Sequence, residues 1–180
     1  MSPARKRIVD VPIRNLNGMH VLVRSELNVN PEAEQERTDF RLRKATTTIS
    51  YLRENGAKVI VCAHIGRKPE ESLAAISQSL KPLLPHTFVR STVGAEVRMA
   101  VDAMVPGDVL LLENLRQNPG EADNDPAFGK ELASYAEVYV NDAFSVAHRD
   151  HASIVGVPTH IPGYAGILFA DEFDNLTHAL

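Results

Sequence analysis

Residues 58–67 read KVIVCAHIGR, a β-branched apolar run from Lys58 to Ala63 that ends abruptly in His64 and Arg67. Runs of the same kind recur at His20–Arg24 (HVLVR), Thr87–Arg90 (TFVR), Val109–Glu113 (VLLLE) and Glu137–Val140 (EVYV). Longer segments of helical period lie between them. One starts near Asp39 with Thr38 as its N-cap, carries Leu42, Ala45, Ile49 and Leu52 at helical spacing, and stops at Gly56. Others are expected over Ser72–Leu84, Ala95–Met104, Asp125–Tyr135 and Asp171–Leu180. Short apolar strands alternating with amphipathic helices signal βα units and parallel pairing.

The fold class predicted is therefore α/β: a doubly wound, mostly parallel sheet flanked by helices, a Rossmann-like three-layer sandwich. A chain of 180 residues with 44% hydrophobic and 23% charged content fits one ordinary globular domain. The net charge of −4 and pI near 6.0 argue against a nucleic-acid-binding surface, so any anion site must be local. No apolar run reaches membrane-spanning length, and the basic start, MSPARKRIVDVPIRNLNGMH, has no apolar secretory segment. The single cysteine, Cys62, sits inside an apolar run and excludes a disulfide framework, which fits a cytoplasmic location.

Chemistry-bearing residues follow the strands directly. Glu26 and Asn28 come after the first, His64 and Arg67 after the second, Asn114 and Arg116 after the fourth, and Asn141, Asp142, His148 and Arg149 after the fifth. The carboxyl ends of parallel strands emerge on one edge of a sheet, where ligands bind in the crevice. Arginines and histidines converging there on an acidic protein specify a compact anion bearing carboxylate or phosphate, whose geometry a guanidinium fork matches.

Each residue also has a plainer reading. A loop arginine is commonly a solvated charge, and Asn141 or Asp142 could simply form an Asx turn. Arg41 and Arg43 point to nearly opposite sides of their helix, so only one can serve a small ligand. Arg41 is the candidate, because a helix amino terminus there would add free N–H groups for an anion. His148 and His151 have the spacing of a metal pair but no convincing third ligand, and no metal is expected.

Taken together, HIGR (His64–Arg67), LLLENLR (Leu110–Arg116), PGE (Pro119–Glu121) and VNDAF followed by AHRDHAS resemble, in order, the motifs of the phosphoglycerate kinase family. Arg24, Glu26 and Asn28 match R-x-D-x-N-x-P with departures, and Asp39, Arg41 and Leu42 match D-x-R-[IL]. The resemblance runs from about Val11 to the carboxyl terminus. It implies a site for 3-phosphoglycerate and 1,3-bisphosphoglycerate formed by Glu26, Leu27, Asn28, Arg41, His64, Ile65, Gly66, Arg67, Arg116 and Arg149. Arg41 takes the catalytic role, stabilising charge on the phosphoryl group in flight. Glu26 stands where the family usually has aspartate and Asn30 where it has proline.

The resemblance further implies that residues 1–170 form the amino-terminal substrate-binding domain and residues 171–180 the start of an interdomain helix. No cofactor is expected in this domain. Mg-ATP or Mg-ADP would bind a carboxyl-terminal nucleotide domain of the same enzyme, and neither glycine-rich nucleotide motif occurs in these 180 residues. The chain alone is expected not to turn over. Two alternatives remain: a free-standing phosphoglycerate- or phosphate-binding module without catalysis, and an unrelated doubly wound hydrolase using His64 or His148, for which no nucleophile and base pair stands out.

Overall fold

The computed structural model describes residues 6–29 and 35–178, with side-chain surroundings given from residue 40 onward in the first helix. Twelve elements frame it in chain order. They are β1 (His20–Arg24), α1 (Gln35–Glu54), β2 (Lys58–Cys62), α2 (Ala74–Leu80), β3 (Thr87–Phe88), α3 (Ala95–Asp102), β4 (Val109–Leu111), α4 (Pro119–Ala122), α5 (Pro126–Ala133), β5 (Val138–Asn141), β6 (Gly163–Ala165) and α6 (Ile167–His178). The six strands form one parallel sheet in the order β3-β4-β2-β1-β5-β6. Asn30 and the side chains of Thr38 and Asp39 lie outside the described residues.

Strand residues alternate between two cores because successive side chains leave opposite faces of a strand. Val21, Val23, Val59 and Val61 pack with Leu42, Ile49 and Leu52 of α1 and Ile76 and Leu80 of α2. Leu22, Ile60, Leu110 and Tyr139 pack on the other face with Val97 and Val101 of α3 and Phe128 and Leu132 of α5. This is the predicted three-layer sandwich. No helix of the described residues is long and apolar enough to cross a membrane.

The differences from expectation have local causes. The first helix begins at Gln35, so Thr38 lies inside it rather than capping it. Gly56 does stop that helix: its φ is +79°, and a Cβ there would come 2.3 Å from Asn17 Oδ1. The second helix covers only Ala74–Leu80, because Pro82, just beyond it, has no N–H to extend the ladder. Strand β6 has only three residues and a glycine, too little signal to read alone. It forms because Tyr139, Val140 and Asn141 of β5 pair with it while the Ala165 amide donates to the Lys6 carbonyl.

Neighbours β1 and β5 send their onward connections in opposite directions, to β2 and to β6, which opens a crevice above their carboxyl ends. Asp142, immediately after β5, is fully buried and ties α6 to the sheet. Its Oδ1 accepts from the Phe169 amide at 3.1 Å, and the Thr48 hydroxyl, which accepts from the Ile167 amide at 2.9 Å, donates to the carboxylate. Helix α6 begins at Ile167, four residues before the expected boundary.

Burial raises the Asp142 carboxyl to about 6, against the lowering effect of the Thr48, Phe169 and Leu168 hydrogen bonds. A carboxyl raised on folding binds its proton more tightly in the native state, so its contribution to stability falls as pH rises from its unfolded to its folded value. Asp142→Asn, which does not titrate, should gain on the unsubstituted chain by about 3 kcal/mol between roughly pH 4 and pH 7. Urea unfolding of both proteins across that range checks this, and a difference that stays flat or runs the other way refutes it.

Candidate functional site

The site is assembled from loops that leave β1, β2, β4 and β5 on one edge of the sheet. Asn114, wholly buried after β4, holds two of them together: its Nδ2 donates to the carbonyls of Ile65 (3.2 Å) and Glu71 (2.7 Å). Its Oδ1 accepts from the amides of Ile65 and Arg116, both at 3.2 Å. The amide of Gly66 reaches Asn28 Oδ1 at 3.1 Å, joining the loop after β1, and Arg116 Nη1 donates to the Gly66 carbonyl. The Glu71 carboxylate accepts from the amides of Arg67 and Lys68 at 2.7 Å each. These polar groups hold a loop shape that apolar packing could not specify.

The result is a cleft of about 840 Å³ whose lining includes Asn28, His64, Gly66, Arg67, Arg116 and Arg149. Among the described residues, none of the three guanidinium groups has a carboxylate partner. Cations around a pocket repel one another, and burial first, then Arg149 and Arg24, lower the Arg116 pKa against the opposing pull of the more distant Glu121 and Glu71 carboxylates. An anionic ligand would relieve that repulsion. His64, only 4% exposed, is kept neutral: burial first, then the charges of Arg24, Arg116 and Arg149, depress its pKa to about 3. It can therefore act in the cleft as a hydrogen-bond donor, not as a cation.

The remaining candidates lie elsewhere. The side chains of Leu27 and Ile65 belong to the core and are not part of this cleft's lining. Glu26 is half-buried and accepts a hydrogen bond from Ser145, a residue of the cleft wall. Arg41 is exposed on α1 near Lys44 and Glu172, outside the cleft lining. The helix starts six residues before it, so the amides around Arg41 are already in the helical ladder and offer an anion nothing. Asn141 makes an Asx turn, accepting the Ala143 amide at 3.1 Å, which is the plainer of its two readings.

Sequence reasoning overlooked the groups beneath the cleft. Arg24 is fully buried, as are Glu121 and Ser153. Arg24 Nε donates to Ser153 Oγ at 3.0 Å, and that hydroxyl donates to Glu121 Oε1 at 2.6 Å. His151 lines the cleft with its Nδ1 3.7 Å from the same carboxylate oxygen, while His148 is exposed, so the two histidines share no site. No grouping of three or more His, Cys, Asp or Glu among the described residues could hold a metal. The only signal for Glu121 was its place in PGE, and for Arg24 the charge that ends an apolar strand.

A family model, Phosphoglycerate kinase, matches residues 10–180. The chain belongs to the phosphoglycerate kinase family. It is 46% identical to the phosphoglycerate kinase of Moorella thermoacetica, with 92% of this chain and 44% of that protein aligned. It is 44% identical to the chloroplastic phosphoglycerate kinase 1 of Arabidopsis thaliana, aligning 100% of this chain with 39% of that one. Among solved structures it resembles the phosphoglycerate kinase of Pyrococcus horikoshii, with a TM-score of 0.85, 29% identity, and 97% of this chain and 45% of that one covered. The enzyme from Coxiella burnetii follows with a TM-score of 0.81 at 29% identity, covering 97% of this chain and 44% of that one. The chain thus spans somewhat under half the length of these family members.

Gly66, on the cleft wall, has no room for a side chain. Its φ is +62°, and a Cβ there would lie 1.9 Å from a Glu71 carboxylate oxygen that the Arg67 and Lys68 amides hold in place. Gly66→Ala should therefore cost roughly 1–3 kcal/mol, through left-handed strain and loss of the Glu71 bonds. The measurement is the urea midpoint, and one equal to that of the unsubstituted chain would show that the loop is not constrained in this way.

Proposed function

We propose that this chain is the phosphoglycerate-binding half of a phosphoglycerate kinase, which moves a phosphoryl group reversibly between 1,3-bisphosphoglycerate and ADP to give 3-phosphoglycerate and ATP. The observation that carries the reading is the cleft of about 840 Å³, lined by Arg67, Arg116 and Arg149, which have no ion-pair partner among the described residues. A ligand with a phosphate at one end and a carboxylate or acyl phosphate at the other supplies the missing negative charge. Neutral His64 and the Asn28 amide supply directed hydrogen bonds beside it, and Glu26, which accepts from Ser145 of the cleft wall, is assigned to accept from the glycerate hydroxyl.

In the reaction an ADP oxygen bonds to the acyl phosphorus while the bond to the carboxyl oxygen breaks, and the carboxylate leaves with the electron pair. The leaving group is already a stable anion, so no protein acid is required. Positioning and charge stabilisation remain for the protein to provide. Arg41 is assigned the charge on the moving phosphoryl group. Its exposed place on α1, near Glu172 of α6 and outside the cleft lining, suits a group engaged when a second domain closes over the edge. Mg-nucleotide is assigned to that second domain, and none of this chain's residues is given to it. A free, buried Cys62 is in keeping with a reducing cytoplasm.

The chain should bind 3-phosphoglycerate in titration calorimetry, more weakly as salt is added. Arg116→Ala and Arg149→Ala should each lose about 1.5–3 kcal/mol of binding free energy. No heat of binding at millimolar ligand and low ionic strength would defeat the assignment.

Supplied with ADP and 1,3-bisphosphoglycerate, the chain alone should make ATP at no appreciable rate, because an unpositioned acceptor forfeits most of the roughly 7–11 kcal/mol that proximity offers. Adding the nucleotide domain of a relative, fused or in trans, should restore ATP formation, and Arg41→Ala should abolish most of it with a smaller effect on glycerate affinity. A reconstituted enzyme indifferent to Arg41 would show that the arginine has another role.

A further inference from the structure

The polar chain beneath the cleft does more than fill space. Arg24 is 0% exposed, and each of its guanidinium nitrogens is committed: Nε to Ser153 Oγ at 3.0 Å, Nη1 to the Ser25 carbonyl at 2.9 Å, and Nη2 to His64 Nδ1 at 2.8 Å. A guanidinium has donors and no acceptor. At that distance His64 Nδ1 must be the acceptor, carrying no proton, and the single proton of a neutral ring must sit on Nε2. His64 lines the cleft, and with Nδ1 occupied from beneath, Nε2 is the nitrogen left to face it.

We propose that Arg24 is a positioning residue, which fixes the orientation and tautomer of His64 so that Nε2–H is presented to the cleft as a donor for a carboxylate or phosphate oxygen. The role assigned to that donor rests on the phosphoglycerate reading above; the tautomer does not. Arg24 is itself held from behind. Ser153 donates to Glu121 through both its hydroxyl (2.6 Å) and its amide (2.9 Å), so its hydroxyl oxygen is left to accept from Arg24 while Glu121 supplies the countercharge. The groups that face His64 are Arg24 from β1, Arg116 from the loop after β4, and Arg149 and His151 from the segment after β5. None of these is an acid, and burial first, then the charges of Arg24, Arg116, Arg149 and His151, holds the pKa near 3. The consequence is a cleft whose histidine donates in the same way across the neutral range. It favours ligand atoms that only accept hydrogen bonds.

Long-range proton–nitrogen correlation on the nitrogen-15-labelled chain reads the tautomer directly. His64 should be a neutral Nε2–H ring from about pH 8 down to about pH 5. A ring protonated on Nδ1, or an imidazolium at neutral pH, would overturn the inference. Arg24→Met should release the ring into a mixture of tautomers and weaken 3-phosphoglycerate binding about tenfold, whereas Arg24→Lys, which keeps a donor, should hold the tautomer and most of the affinity. In a His64→Ala background Arg24→Met should change affinity by less than about twofold, since residues acting through one contact are not additive. Full additivity would mean that Arg24 acts independently of His64. If Arg24→Met does not fold, the measurement on the unsubstituted chain still decides. A fixed Nε2–H ring in a chain that binds no 3-phosphoglycerate would overturn the functional reading and leave the role of Arg24 standing.

Discussion

A guanidinium buried at the end of β1 must be solvated by protein atoms, because the cost of an unpaired buried charge is several kcal/mol. Arg24 meets that demand with groups from four parts of the chain: the Ser25 carbonyl beside it, His64 after β2, Ser153 in the turn beyond β5, and, through Ser153, Glu121 on α4. Each partner can satisfy the cation only if its own loop is in place. The same bonds that make the charge tolerable therefore hold four loops in mutual register under the cleft. Removing one partner would expose the rest to the desolvation cost, which is how a buried polar network enforces a single arrangement.

Above that network the polar groups divide by whether the protein satisfies them. Asn114, Glu71, Glu113 and Glu121 are consumed internally: Glu113 takes the amides of Leu73 and Asn114 and the Ser72 hydroxyl, as Asn114 takes the loop after β2. Arg67, Arg116 and Arg149 line the cleft with no ion-pair partner among the described residues. A protein of net charge −4 concentrates positive charge at one place by spending its carboxylates elsewhere. That contrast separates a ligand site from an ordinary charged surface, on which ion pairs are weak and interchangeable.

Helix α6 packs at this edge of the sheet. Asp142 and Thr48 fasten its first turn to the end of β5 and to α1, so a displacement of α6 would be felt at the residues on which Arg41 and Arg149 are carried. Among the described residues Asp142 Oδ2 has no hydrogen-bond partner, which fits a carboxyl that burial makes harder to ionise. The same helix carries Glu172, whose carboxyl feels the charges of Arg41 and Lys44 on α1, so its first turn is tied to the element that bears the arginine assigned to the phosphoryl group.

The parallel sheet and its helices were legible because their signal is periodic and local. HVLVR was read with its observed bounds, the other strong strands within one or two residues, and Leu42, Ala45, Ile49 and Leu52 face the core as their spacing required. The short β6 was invisible because its pairing partner, not its own composition, creates it. Of the site, the residues that follow strands could be named, since parallel strands must deliver their carboxyl ends to one edge. Which of them line the cleft could not. Ile65 turns inward because the direction of a loop side chain depends on loop shape, which Asn114 sets there through contacts distant in sequence, Leu27 is buried in the same core, and Arg41 lies exposed on α1 outside the cleft lining. The sequence by itself determined the layers, the edge that carries the cations and the family. Only the tertiary structure decided that Arg24 is a buried support and His64 a neutral donor, because protonation and orientation depend on neighbours that folding alone brings together.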